Sequence, residues 1–164
     1  MLGTSWDAPD VMREKIRATR ALTSGPIAVN LAMSLNQHER LEIALAEGVQ
    51  AISFFWGDPA AYVRKAKDGG ALIIQTVATP EEARRAAGQG ADILVAQGVE
   101  SGGHVWSTVS TMVMVPLICD AVRRSGGGGR WNRRCAGRAR RTRARCRGRM
   151  GGNPLPGDTR IRGP

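Results

Sequence analysis

The chain has 164 residues, enough for one domain with a sizeable core, and its formal net charge of +10 first suggests a nucleic-acid partner. That charge is unevenly placed: residues 125–164 hold 12 of the 24 Lys and Arg and one of the 14 Asp and Glu, leaving residues 1–124 at −1. A near-neutral globular sequence is joined to a basic tail with little to build a core. No stretch is long enough to span a membrane, and the start lacks the basic-then-apolar pattern of a signal peptide. Three cysteines, Cys119, Cys135 and Cys146, show no CxxC spacing, and their odd number points to reduced thiols in a cytoplasmic setting and against a metal site.

Met1-Leu2-Gly3 reads as the end of an element. Asp7 suits a helix cap and Pro9 a first turn, with Val11, Ile16 and Leu22 as the apolar face of that helix. Gly25-Pro26 breaks it, and Ile27 to Asn30 reads as a strand with a polar residue at its carboxyl end. A second helix is expected over 35–47, burying Leu41, Ile43, Ala44 and Leu45 and stopping at Gly48. Residues 51–55 form the next strand, Asp58-Pro59 opens a helix that ends at Gly69-Gly70, and 71–75 is a further strand. Thr79-Pro80-Glu81-Glu82 combines a cap, a first-turn proline and acidic residues on the positive end of a helix dipole. That helix closes at Gly88 or Gly90.

The run Ile93 to Ala96 is then a short buried strand, followed by a polar, glycine-rich turn through Gln97 and His104. In this turn Gly102 and Gly103 are expected to take positive φ and let the backbone approach a ligand. Strand starts near 27, 51, 71 and 92 are 24, 20 and 21 residues apart, a period that signals right-handed βαβ units. Four such units fit either a doubly wound sheet or half of a closed barrel. In both, ligands bind past the carboxyl ends of the strands, where an amide, a carboxylate and an imidazole gather here. A helix over 111–122 must accommodate Pro116, and no strand is expected after it.

The run AQGVESGGH at 96–104, together with PIAVN at 26–30, FFWGDP at 54–59 and ATPEEARRAAGQGAD at 78–92, resembles the nitronate monooxygenases, formerly 2-nitropropane dioxygenases. The resemblance covers residues 1 to about 124, and it implies an α/β fold, a partial (βα)8 TIM barrel of about four βα units; residues 125–164, poor in apolar residues, read as a disordered basic tail. It also implies FMN as cofactor and an oxidoreductase that converts alkyl nitronates with O2 to carbonyl compounds and nitrite. The same glycine-rich pattern occurs in FMN-dependent enoyl-acyl carrier protein reductases, so that chemistry stays open as an alternative. His104 matches the family's catalytic base, and an imidazole suits removal of the α-proton of a nitroalkane at neutral pH. Asn30, Gln97 and Gly102 match positions that contact FMN; as plain residues they would be strand-end caps and a turn glycine. His38 carries no such context and reads as a polar surface residue. Gln75, another strand-end amide, is a capping residue that could line the same mouth. Trp56 and Trp106 are either pocket walls or core packing. Where the family mostly has glycine after the tryptophan of GHVW, this chain has Ser107.

Two family segments resembling PVxAAGGIAD and GTRFLAT, whose loops cradle the FMN phosphate, do not appear in this reading frame. Codons for residues 125–134, shifted by one base, permit Pro-Val-Ala-Ala-Ala-Gly-Gly-Ile-Ala-Asp, and those for residues 152–163 permit Gly-Thr-Arg-Phe-Leu-Ala-Thr-Arg-Glu-Ser-Gly in the same shifted frame. We read this as one frameshift shortly before Ser125. Resequencing that stretch and finding no single-base change that restores both segments would overturn the reading. The rival is a true arginine-rich tail that neutralises phosphates, with salt-sensitive nucleic-acid binding as its signature. The frameshift makes nucleic acid an unexpected partner. A barrel lacking strands at both ends is further expected to expose edges and apolar faces, impairing solubility, FMN binding and activity.

Overall fold

A computed structural model describes residues 1–124, 134–137 and 144–145. Strands and helices alternate along it: β1 (Leu2–Gly3), α1 (Pro9–Leu22), β2 (Ala28–Ala32), α2 (His38–Ala46), β3 (Ala51–Phe55), α3 (Ala60–Asp68), β4 (Leu72–Val77), α4 (Pro80–Gln89), β5 (Ile93–Ala96) and α5 (Thr111–Arg124). Short strands β6 (Arg134–Gly137) and β7 (Ala144–Arg145) follow. From β1 to β6 each strand pairs in parallel with the next, so the strand order is the chain order. A doubly wound sheet reverses its order at a switch point, and this sheet does not. Of the two architectures the period allows, the chain adopts the barrel type, as an open α/β segment of a TIM barrel.

Local chemistry explains where the elements begin and end. Pro9 occupies the first turn of α1, but the residue preceding the helix is Ala8, with no side-chain cap. Asp7, expected as the cap, instead takes the Lys15 ammonium at 2.7 Å. Met12 and Ile16 bury the inner face of α1, Ile16 as expected, whereas Val11 and Leu22 are exposed and Met12 takes the inward place expected of Val11. The second helix starts three residues later than its apolar pattern suggests. Gln37, fully buried, donates through Nε2 to the carbonyls of Ser5 and Ala32 and so ties the preceding turn to β2. Thr79 caps α4 by accepting the Glu82 amide at 3.1 Å, and Gly90 closes that helix at φ 95°.

Register sorts the strand side chains into two faces. Val29, Leu31, Ile52, Phe54, Ile73 and Val77 are buried on the face the helices cover. Asn30, Ser53, Ile74 and Ile93, aligned across four strands, lie on the inner face. Gln75 aligns with Phe54 and Leu94 on the helix-covered face, with its Oε1 buried and unpartnered among the described residues. It therefore neither lines the mouth nor caps its strand.

Two expectations need correction. A strand does follow α5: β6 pairs in parallel with β5, Val95 with Ala136 and Ala96 with Gly137, and β7 pairs antiparallel with β6. The open edge of β5 offers backbone donors and acceptors that need no apolar partner sequence. Cys119, expected as a reduced thiol, is disulfide-bonded; the chain's other cysteines are Cys135 and Cys146. Cys119 is buried in α5, beside the sheet that β6 extends. The remainder of 125–164, with the expected lack of order and the shifted frame, lies outside the described residues.

Candidate active site

The carboxyl ends of β1, β3 and β5 deliver an aromatic cluster to one mouth. His104, on the loop after β5, stacks on Trp6 at 5.7 Å between ring centroids with planes 25° apart, and packs against Trp56 at 4.7 Å with the rings tilted by 33°. Phe55 joins at 6.4 Å from His104 and 6.3 Å from Trp106. His104 is exposed, and among the described residues no hydrogen bond or ion pair engages its ring nitrogens. Trp56 and Trp106, left between pocket wall and core packing by the sequence, both line this cluster. Trp6 has no motif around it and only the fold brings it here. His38 packs on Tyr62 at 4.6 Å as an exposed helix residue.

The loop that carries His104 is braced along its length. Gln97 is buried and donates through Nε2 to the His104 carbonyl at 2.9 Å, while its Oε1 accepts the Trp106 amide at 3.4 Å. The Trp106 indole donates to the Glu82 carboxylate at 3.2 Å, and Glu82 also accepts the Ala78 amide at 2.7 Å, which links the loop to the start of α4. Glu100 accepts the Thr111 amide at 2.9 Å and its hydroxyl at 3.3 Å, so its carboxylate sits on the positive end of α5. Backbone amides, its own first and then that of Thr111, hold the Glu100 carboxyl below the ordinary carboxylate range. Ser107 is buried and exchanges hydrogen bonds with Val109 at 3.1 and 3.3 Å, closing a local turn without a glycine.

The glycines divide by role. A Cβ on Gly98 would fall inside van der Waals contact with the Thr111 backbone and the Glu100 carboxylate, so this glycine permits the close approach of α5. Gly103 has φ 81°, as expected; Gly102 does not have the expected positive φ, and among the described residues nothing lies within 4 Å of a Cβ there.

Asn30 lies on the inner face of β2, three strands from the β5 that carries the His104 loop, where its Nδ2 donates to Ser53 Oγ at 3.1 Å and its carbonyl accepts the Ser5 hydroxyl at 3.0 Å. Ser53 and Ser5 went unnoticed in the sequence because small polar residues in short strands carry no distinctive signal. The four positions singled out thus fall into two groups. Gln97, Gly102 and His104 share one braced loop, and Asn30 stands on the adjoining sheet face. Among the described residues no group of His, Cys, Asp and Glu could hold a metal ion, and no helix is long and apolar enough to cross a membrane.

Comparison with known proteins follows the same outline. Residues 33–124 match the family model for nitronate monooxygenase. The chain is 32% identical over 118 residues to a (3aS,4S,5R,7aS)-5-hydroxy-7a-methyl-1-oxo-octahydro-1H-indene-4-carboxyl-CoA dehydrogenase of Mycobacterium tuberculosis, covering 71% of this chain and 33% of that protein. It is 26% identical to a probable nitronate monooxygenase of Bacillus subtilis, covering 74% of this chain and 47% of that protein. The structure of FabK from Thermotoga maritima superposes with a TM-score of 0.69 at 32% identity, over 73% of this chain and 38% of that one. The chain therefore spans between a third and a half of the length of these relatives. Its matched residues include the whole His104 loop and the strands that present it, and the chain belongs to the nitronate monooxygenase family.

Proposed function

We propose that the chain is the base-bearing part of an FMN-dependent oxidoreductase acting on carbon acids, with alkyl nitronates and their parent nitroalkanes as substrates and O2 as oxidant. Its products are a carbonyl compound and nitrite. The observation that carries this reading is His104: an exposed imidazole at the carboxyl-end mouth of a family barrel, its faces against aromatic rings and its nitrogens unclaimed among the described residues. A carbon acid brings its acidic C–H beside one ring nitrogen, which takes the proton, while the indoles and Phe55 exclude water from the apolar part of the substrate.

The inner face fits the ring end of a flavin. Asn30 pairs with Ser53 in a half-buried polar patch, an amide that can both donate and accept at the edge of a flat heterocycle. Gly102 leaves room for a ligand where a side chain would otherwise meet no protein atom. Gln97 fits less freely, since both ends of its amide brace the loop; it would reach a cofactor by giving up its longer contact, the 3.4 Å one to Trp106. When bound, FMN supplies the electron transfer that no side chain can.

A second reading is favoured by the Mycobacterium tuberculosis relative, whose name assigns it a carboxyl-CoA substrate. The carbon next to a thioester carbonyl is also a carbon acid, so the same base would serve thioester oxidoreduction, including the enoyl reduction that the glycine-rich pattern allows. The two readings separate in one experiment on the full chain supplied with FMN. Nitronate-dependent O2 uptake with nitrite release supports the first. NADPH-dependent turnover of an enoyl thioester without nitrite chemistry would replace it with the second.

A further inference from the structure

A histidine base is commonly oriented through its second ring nitrogen by a carboxylate or a carbonyl. Among the described residues His104 has no such partner, and what meets its ring is aromatic: Trp56 at 4.7 Å, Trp6 at 5.7 Å and Phe55 at 6.4 Å. Trp56 reaches the ring by an unusual backbone route. It has φ 58° and is the one non-glycine residue with positive φ among the described residues. Gly57 follows at φ 138°, where a Cβ would stand 2.7 Å from that of Met33, and the Met33 amide donates to the Phe55 carbonyl at 2.9 Å. The end of β3 is thus turned sharply, with a bulky residue held in a conformation that favours glycine. Strain of this kind persists where the surrounding structure fixes it, and it concentrates at functional sites.

We propose that Trp56, assisted by Trp6, is the positioning residue for His104. The indoles fix the plane of the imidazole by packing on it, Trp56 tilted at 33° and Trp6 stacked, and leave both of its nitrogens to the substrate, replacing the carboxylate of more familiar histidine bases. The proposal rests on the reading of His104 as the base. It predicts that the left-handed turn at Trp56 is kept for the placement of the indole and contributes nothing to stability. Glycine at that position would relieve the backbone and lose the stacking.

The test uses the full chain with Trp56→Leu, Trp56→Phe, Trp56→Gly, Trp6→Leu and His104→Gln. The first readout needs no cofactor. In the NMR spectrum, ring currents from the indoles move the His104 carbon-bound ring protons upfield. That shift should fall most in Trp56→Leu and Trp56→Gly, where only the Trp6 share remains, shrink less in Trp6→Leu and survive largely in Trp56→Phe. The second readout, with FMN added, is the ratio of turnover with a neutral nitroalkane, which needs the base, to turnover with the preformed nitronate, which does not.

His104→Gln should lower that ratio by about 10²–10⁴-fold, the usual worth of a general base. Trp56→Leu and Trp56→Gly should lower it by about 10²-fold, as for a misplaced reacting group, with Trp56→Phe restoring most of it. An unchanged ratio in His104→Gln removes the base reading but leaves the NMR arm to decide whether the indoles hold the ring. Unmoved His104 signals in both Trp56→Leu and Trp56→Gly overturn the proposal. So does an equal loss on nitroalkane and nitronate in those variants while His104→Gln discriminates. If the chain turns over neither substrate, the NMR comparison by itself upholds or overturns the placement of the ring.

Discussion

Gly98 and Gly102 stand four residues apart in the same loop, and alanine should affect them in opposite ways. At Gly98 the added Cβ would lie under 3.0 Å from the Thr111 amide nitrogen, the Thr111 hydroxyl and a Glu100 carboxylate oxygen. The first of these is the backbone at the start of α5, which Met114 and Ile118 anchor in the core, so no flexible tip can swing aside. Overpacking of this kind costs about 1–3 kcal/mol. An anchored backbone atom places Gly98→Ala near the upper limit, roughly a hundredfold in the folded-to-unfolded ratio. At Gly102 nothing lies within 4 Å and φ is not left-handed, so Gly102→Ala should stay within about 0.5 kcal/mol of the parent, as for an unencumbered surface site. Urea unfolding followed by tryptophan fluorescence measures both, with equal slopes expected and only the Gly98→Ala midpoint displaced. Flavin titration should show the reverse ranking once stability is allowed for, because among the described residues an alanine at 102 meets no protein atom within 4 Å. Matching midpoints for the two variants would refute the packing argument, and unimpaired flavin binding by Gly102→Ala would remove Gly102 from the cofactor site.

Two further outcomes follow from the braces around the mouth. Thr79→Ala removes the acceptor of the Glu82 amide at the start of α4 and should cost about 1 kcal/mol by urea unfolding, with Thr79→Ser near the parent. Glu100→Gln tests the acid side. A carboxyl held below its ordinary range contributes stability above its unfolded-state pKa and loses it as pH falls through the lower folded value. The variant should therefore melt below the parent at neutral pH, and the gap should close once the solution is more acidic than the carboxylate range. A gap that stays constant with pH would assign the loss to packing instead of charge.

Periodicity carried most of the fold. Four apolar runs separated by helical segments, with Gly48 and Gly90 as stops and Thr79 as a cap, located β2 to β5 and α2 to α4. The sequence left two architectures open because the βαβ repeat is common to both, and only strand order distinguishes them. Side-chain roles were less legible. Asp7 looked like a cap, but capping competes with ion pairing, and Lys15, inside the helix that Asp7 precedes, takes its carboxylate. Gln75 looked like Asn30 and Gln97, each a polar residue near the end of an apolar run. In a strand, one residue of offset exchanges the faces, and only the register shows which face Gln75 takes. The His104 loop was legible through its glycine and histidine spacing, whereas Trp6, about a hundred residues upstream, carries no pattern that the eye could join to it.

The division of the site along the chain leads to a last expectation. In the proposed site every group given to the flavin or the base, from Asn30 to His104, would serve the ring end of the cofactor. The segments that hold the phosphate in the family's pattern do not occur in this reading frame. If ring contacts alone hold the cofactor, removing the phosphate costs nothing, and riboflavin should bind the full chain as tightly as FMN. The competing source of phosphate affinity is the set of 12 arginines in residues 125–164. Arginine binding to phosphate is displaced by salt, whereas stacking and amide contacts at a half-buried ring edge are far less so. Titrations with both flavins at low and high ionic strength therefore separate the cases. Equal, salt-insensitive binding locates recognition at the mouth. A preference for FMN that fades with salt would give the tail a role in holding the cofactor. A preference that persists in salt would mean a phosphate cradle built from backbone amides, and would defeat the claim that this chain holds only the ring.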